Sequence, residues 1–186
     1  MKIPLCKPSI DKKEVLLISK TLKSNWLTHG PYNKKFEKDF CKKFNIKYSI
    51  SMNSCTSALE CAIKSLGKKG EIIIPSFTWV STANAVLNCG SIPIFADVDL
   101  ETRNIDLKSL SKCITKKTVA ILAPNLLGNL CDWKKIREIA DKYNLVVIED
   151  SADTLGGKVD NGRLSGEFSD MSITSFYGSH IINCAG

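Results

Sequence analysis

Leu145-Val-Val-Ile-Glu149-Asp150 is an apolar run that ends on two acids, and Ser175-Phe-Tyr-Gly-Ser-His180 follows it toward the end of the chain. An acid at the carboxyl end of a buried strand can pair with a protonated ring nitrogen. A second strand that runs into Ser and then His can supply an anion contact and a base. Standing alone, Asp150 would read as a helix N-cap or a turn acid; the pattern around it decides otherwise.

Outward from that stretch, strand-like and helix-like segments alternate. Lys134 to Tyr143 puts Ile136, Ile139 and Ala140 on one helical face and feeds the strand Leu145 to Ile148. Upstream, Tyr48 to Met52 reads as a strand, Thr56 to Leu66 as a helix, Glu71 to Ile74 as a strand closed by Pro75, and Trp79 to Leu87 as a helix. Ile92 to Ala96 is a strand, Leu107 to Cys113 a short helix and Val119 to Ala123 a strand, with a final strand before Ser175. Fully apolar strands joined by helices predict an α/β fold: a mostly parallel sheet covered by helices on both faces. Residues 1–45 differ, with two basic helices at about Lys12 to Leu22 and Lys34 to Phe44 flanking Trp26-Leu-Thr-His-Gly-Pro31. This predicts an N-terminal helical arm followed by one partial large domain over 46–186.

Composition narrows the function. The chain has 186 residues, 44% of them hydrophobic and 24% charged, which suits a globular protein with a sizeable core. Apolar runs such as Val119-Ala-Ile-Leu-Ala123 are strand-length, so no bilayer span is expected. Met1-Lys-Ile-Pro-Leu5 lacks the apolar core of a signal peptide, and a cytoplasmic location is expected. The eight cysteines form no CxxC pair and have no His at metal-ligand spacing, so they read as reduced, with no metal centre. The net charge of +7 is spread as short Lys-Lys pairs rather than gathered on one face, which argues against nucleic acid and for a solvated surface. A mild basic field also suits an anionic small substrate.

In open α/β sheets ligands sit outside the carboxyl ends of the strands. Asn53-Ser-Cys-Thr-Ser-Ala-Leu59 opens a helix whose free N–H groups suit a phosphate, although in isolation plain capping by Asn53 or Ser54 is the stronger explanation. Pro75-Ser-Phe-Thr-Trp-Val80 places aromatic rings at the same edge, where Trp79 can stack on a planar heterocycle or simply fill a core. Asp150, Asp153 and the Ser175 to His180 segment follow later strands. A phosphate cradle, a stacking ring, an acid for a pyridinium nitrogen and a hydroxyl together describe a pyridoxal phosphate pocket.

The blocks Trp26-Leu-Thr-His-Gly-Pro31, Asn53 to Leu59, Pro75 to Asn84, Pro93-Ile-Phe-Ala-Asp-Val-Asp99 and Glu149-Asp-Ser-Ala-Asp153 resemble, in order and spacing, the DegT/StrS family of nucleotide-sugar aminotransferases. The match runs from about Ile3 to the last residue. It implies a fold type I enzyme using pyridoxal 5'-phosphate or pyridoxamine 5'-phosphate on a nucleotide-linked keto sugar, in cell-surface polysaccharide biosynthesis. It further implies glutamate as amino donor and a homodimer with shared active sites. Carried over by position, the backbone at Cys55 and Thr56 and the Ser175 hydroxyl would hold the phosphate. Trp79 would stack on the ring and Asp150 would keep its nitrogen protonated, with Asp153 also lining the cofactor.

Two departures change the implied reaction. The aminotransferases carry at the place of His180 the Lys that forms a Schiff base with the cofactor, a bond imidazole cannot make. Asp153 stands where they more often have Gln or His. With Leu127-Gly-Asn129, these features resemble the branch that 3-dehydrates 4-keto-6-deoxy sugars, where the cofactor is held noncovalently and the His is the base. Imidazole suits this role because much of it is neutral at physiological pH. An iron–sulfur relative has a cysteine just after the Glu-Asp pair; Ser151-Ala152 occupy that place here. Family members run to about twice this length, so the resemblance covers an N-terminal half, with the later strands and the small C-terminal domain absent. A gene fragment, a frameshifted product and a shortened sequence stay open as explanations. Two other readings also remain open: an aminotransferase of the same family, and an inactive fragment that keeps only the cofactor pocket.

Overall fold

The computed structural model describes residues 7–159 and 162–184. Cys6 and the start of the family match at Ile3 lie outside the described residues. The chain divides into two compact units, Met1–Asn53 and Ser54–Gly186.

The first unit holds two helices, α1 (Lys12–Lys23) and α2 (Pro31–Phe44). The Asp11 carboxylate accepts the Lys13 N–H at 2.6 Å while Glu14 accepts the Asp11 N–H at 2.8 Å, a reciprocal N-terminal cap for α1. In α2, Pro31 fits the first turn because its missing N–H is not needed there. Phe36, Phe40 and Phe44 recur at helical spacing and stack along one face, with centroids 5.9 and 4.5 Å apart. Residues 48–52, expected to form a strand, are not one: Tyr48 and Ile50 are each 74% exposed and no ladder is formed. The alternation of Tyr48, Ile50 and Met52 is real, but a strand also needs a neighbour. Here the segment is tied at Ser51, whose N–H and hydroxyl both donate to Glu37 at 2.8 Å.

The second unit is a doubly wound sheet. Its elements are α3 (Cys55–Ser65), β1 (Glu71–Pro75), α4 (Val80–Asn88), β2 (Ile92–Ala96), α5 (Leu107–Cys113), β3 (Thr118–Pro124), α6 (Trp133–Tyr143), β4 (Val146–Asp150) and β5 (Met171–Ile173). The strands run in the order β2-β1-β3-β4-β5 and every pairing is parallel. Period-two alternation sorts the apolar side chains into two cores. Ile72, Ile74, Leu122 and Ile148 pack with Leu59 and Ile63 of α3 and Val86 of α4. Ile73, Ile121 and Val147 pack with Leu110 of α5 and Trp133 and Ile136 of α6. Both faces of β1, β3 and β4 are covered, which is why these strands carry unbroken apolar runs, whereas Ile92 and Phe95 of the edge strand β2 are more than half exposed. The chain leaves β1 toward β2, then returns to place β3 on the other side of β1, so strand order reverses between β1 and β3. A crevice at the carboxyl edge results.

The β1–β3 pairing depends on a glycine. A Cβ at Gly70 would lie 2.5 Å from Val119 Cγ1 and 2.7 Å from the Lys117 carbonyl oxygen, and the Gly70 carbonyl already accepts the Ile92 N–H at 2.9 Å. Gly70→Ala is therefore expected to force β1 and β3 apart and cost about 1–3 kcal/mol. An unchanged urea midpoint would show that the edge yields freely.

Candidate active site

Asp150 ends β4 between two neighbouring strands and is only 7% exposed. Its Oδ1 accepts the Ala152 N–H at 3.1 Å. Burial pushes its pKa up to about 6, against the pull of that hydrogen bond; Asp153 raises it further, His180 draws it down and Glu149 adds a smaller upward push. It is a buried carboxylate with a backbone donor and two neighbouring carboxylates.

The turn after β4 is fixed by short bonds. Ser151 N–H donates to Ile173 O at 2.6 Å, the Thr174 hydroxyl donates to Ser151 O at 3.1 Å, and the Ser151 and Thr154 hydroxyls meet at 2.9 Å. This turn carries Asp153, whose Oδ1 lies 3.6 Å from His180 Nε2. The His180 ring meets Tyr177 edge-on at 5.7 Å, the His180 backbone N–H donates to Tyr177 O, and the ring Nδ1 is buried without a hydrogen-bond partner among the described residues. Ser175 accepts the Tyr177 N–H through its hydroxyl oxygen at 3.2 Å, which leaves its own proton free to donate.

Cys55 stands at the first turn of α3, which Ser54 caps by accepting the Ser57 N–H at 3.1 Å. Its thiol is pushed up to about 12 by burial and then by the charges of Asp150 and Asp153, so it is inert as a nucleophile and sits within the field of both acids. The N–H groups of Cys55 and Thr56 belong to the first turn, where no intrahelical acceptor exists, and are available to an anion.

The structure thus brings Cys55, Asp150, Asp153 and His180 together, with Thr56 in the adjoining helix turn and Ser175 on the segment leading to His180. Trp79 stands apart from that group. It caps α4 just after β1, 74% exposed, with β3 between its strand and β4, roughly 10 Å across the sheet at the usual strand spacing. A concavity of about 470 Å³ lined by Lys68, Lys69, Lys116 and Lys117 lies at the opposite, amino edge of the sheet. Its basic, open surface has no acid–imidazole cluster, so the carboxyl edge is the better site.

Sequence reasoning missed Asn125, which follows β3 directly. Its amide donates to Glu149 Oε1 at 2.7 Å, while its oxygen accepts Trp133 Nε1–H at 2.8 Å and Cys131 N–H at 3.0 Å. Its position just past an apolar strand, at the edge where ligands bind, was the available signal.

A cofactor-binding α/β sheet with an acid and a histidine at its carboxyl edge is the class these features define. Residues 8–186 match the DegT/DnrJ/EryC1/StrS aminotransferase family, and the chain belongs to it. The GDP-perosamine synthase of Escherichia coli O157:H7 is 37% identical over 183 residues, spanning 97% of this chain and 50% of that protein. The E. coli GDP-4-keto-6-deoxy-D-mannose-3-dehydratase, solved with bound hydrated PLP, superposes with a TM-score of 0.90 at 33% identity over 98% of this chain and 49% of that one. NtdA of Bacillus subtilis, solved with PMP, gives 0.87 at 32% identity over 95% and 41%. The chain spans about half the length of the relatives it matches. With these neighbours, the fold is the large-domain sheet of the fold type I PLP-dependent enzymes.

Asp150 offers a direct test of the site's electrostatics. A folded-state pKa of about 6, above the ordinary 3.8, means that ionising Asp150 opposes folding. Its favourable contribution is full below the ordinary value and is lost as pH rises through about 6. Asp150→Asn keeps an acceptor for Ala152 and removes the charge. Without cofactor it should stabilise the chain near pH 8 by about 2–3 kcal/mol and change little near pH 4. Urea unfolding at the two pH values measures this, and a pH-independent effect would contradict the assignment.

Proposed function

We propose that this chain carries the cofactor-binding half of a PLP- or PMP-dependent enzyme of nucleotide-sugar biosynthesis, and that its reaction is 3-dehydration of a nucleotide-linked 4-keto-6-deoxyhexose. The observation that supports it best is His180, held beside Asp153 and Asp150 where the family's aminotransferases carry lysine. The residues fit the cofactor. Asp150 is a desolvated carboxylate without a bonded cation and would pair with a protonated ring nitrogen. The first-turn N–H groups of Cys55 and Thr56, with the Ser175 hydroxyl, would hold the phosphate. Trp79, exposed at the same edge, would cover the ring.

When bound, pyridoxamine phosphate supplies an amine for the sugar C4 ketone and a ring that takes up electrons. Asp150 holds the positive charge on that ring by charge pairing. His180 moves protons at the site in place of an amine, with Asp153 facing its Nε2. At the sugar, C3 would exchange its hydroxyl, lost as water, for hydrogen; the two electrons would come from conversion of the amine form of the cofactor to the aldehyde with release of ammonia, and glutamate would restore the amine. Glutamate as amino donor, a homodimer and a cytoplasmic location belong to the same proposal; no described helix is long and apolar enough to cross a membrane. Many of the relatives are aminotransferases, and His180 is the feature that separates this chain from them.

Borohydride discriminates between the two chemistries. With PLP, the chain should lose its cofactor on dialysis and carry no reduced label at residue 180, whereas His180→Lys should become labelled there and turn yellow. Stable labelling of any lysine at the wild-type site would return the chain to the aminotransferases.

A further inference from the structure

Leu127 lies in the tight turn Leu126–Gly128 with φ 52 and ψ 32, a left-handed conformation that brings Cβ too close to the following carbonyl oxygen and is unfavourable for a branched side chain. Asn45 and Asn144 also adopt it, as helix C-caps and with a residue type that tolerates it, as does Asn25; Arg103 shares it in an exposed polar turn, so Leu127 is the apolar residue among them. Leu127 has neither excuse, and it is 82% exposed. Strain and exposure together in an apolar residue point to function when the surroundings enforce them.

Here they do. The Leu126 N–H donates to Asn104 Oδ1 at 3.1 Å, and Asn104 Nδ2 donates to Asn129 O at 3.0 Å. Asn129 donates its N–H to Leu126 O at 3.0 Å and its side-chain amide to Thr102 O at 2.9 Å. Asn125, just before the turn, is saturated by Glu149, Trp133 and Cys131. Three asparagines therefore hold a short turn whose protruding apolar group is Leu127. The turn sits on the site: the Asn125 N–H donates to Asp150 O at 3.0 Å, and a Cβ at Gly128 would lie 3.9 Å from Asp153 O.

We propose that Leu127 is a specificity residue that meets the C6 methyl of a 6-deoxy sugar at the rim of this site, an inference that rests on the proposed function. A nucleotide sugar is polar over nearly its whole surface, and the deoxygenated C6 is the place where an exposed leucine gains by contact. A C6 hydroxyl there would lose water without finding a partner.

GDP-6-deoxymannose and GDP-mannose differ only in that hydroxyl. Titrated into the PMP-loaded chain, the 6-deoxy compound should bind about fourfold more tightly, the worth of one buried methyl-sized group. Leu127→Gly and Leu127→Asn should both erase the preference and leave PMP affinity unchanged. Leu127→Gly should also raise the melting midpoint by about 2–4 °C, because it relieves the backbone and empties no core. A preference that survives in both variants overturns the inference, as does a fall in midpoint, which would make Leu127 a packing residue. A change in oligomeric size with no change in sugar preference overturns it too, in favour of a protein partner over Leu127. Failure of the wild-type chain to bind PMP sinks the cofactor reading itself; PMP binding without binding of either sugar nucleotide sinks only this inference.

Discussion

Two consecutive acids at the end of one central strand organise this unit. β4 lies between β3 and β5, so its successive side chains must point to opposite layers. Val147 enters the core beneath α5 and α6, and Ile148 the core beneath α3 and α4. Continuing the alternation, Glu149 reaches the Asn125–Trp133 side and Asp150 reaches the Cys55 side. One strand thus sends one carboxylate into the scaffold and the next into the candidate site. A slip of one residue would exchange them.

The scaffold carboxylate explains why the crevice keeps its shape. Glu149 is fully buried, and its cost is offset on one oxygen by the Asn125 amide. Asn125 then spends its own oxygen on the Trp133 indole and the Cys131 N–H, joining the end of β3, the end of β4 and the start of α6. The other Glu149 oxygen is buried without a partner, packed where a Cβ on Gly166 would come within 3.3 Å. A network of this kind is stiff because every alternative arrangement leaves more polar groups unpaired. Stiffness at that point lets the strained turn at Leu127 persist beside the site.

The sheet was legible in the sequence because its strands are apolar throughout and its helices carry one apolar face; most boundaries fall within a residue or two of expectation. Residues 48–52 show where such reading stops. Their alternation is a local property, but pairing is not, and Tyr48 and Ile50 lie exposed without a ladder. The site was legible in part for the same reason. Asp150 could be picked out as a strand-end acid, since parallel topology brings strand ends to one edge; His180, expected at a strand end, lies instead in the turn well past the end of β5 at Ile173, where it comes near Asp153. The division of labour between Glu149 and Asp150 could not, because it depends on which face each side chain meets. Nor could Asn125, an ordinary loop residue until its three partners are in place.

On the proposed reading, residue 180 is an imidazole where the aminotransferases carry an amine, and this has an electrostatic consequence for this edge. An amine there would compensate Asp150 and Asp153 directly whenever it is protonated. Here burial raises Asp150 to about 6 even though His180 beside it pulls the other way, so the acid is only partly compensated. An uncompensated buried acid gains most from a ligand that brings its own positive charge, as a protonated pyridine nitrogen does. On the proposed reading, removing the covalent anchor therefore strengthens the ionic one. A noncovalently held cofactor needs that compensation, because charge pairing, phosphate contacts and stacking are then all that retain it. The same carboxylate that opposes folding when it ionises would be the one that favours a cationic ring.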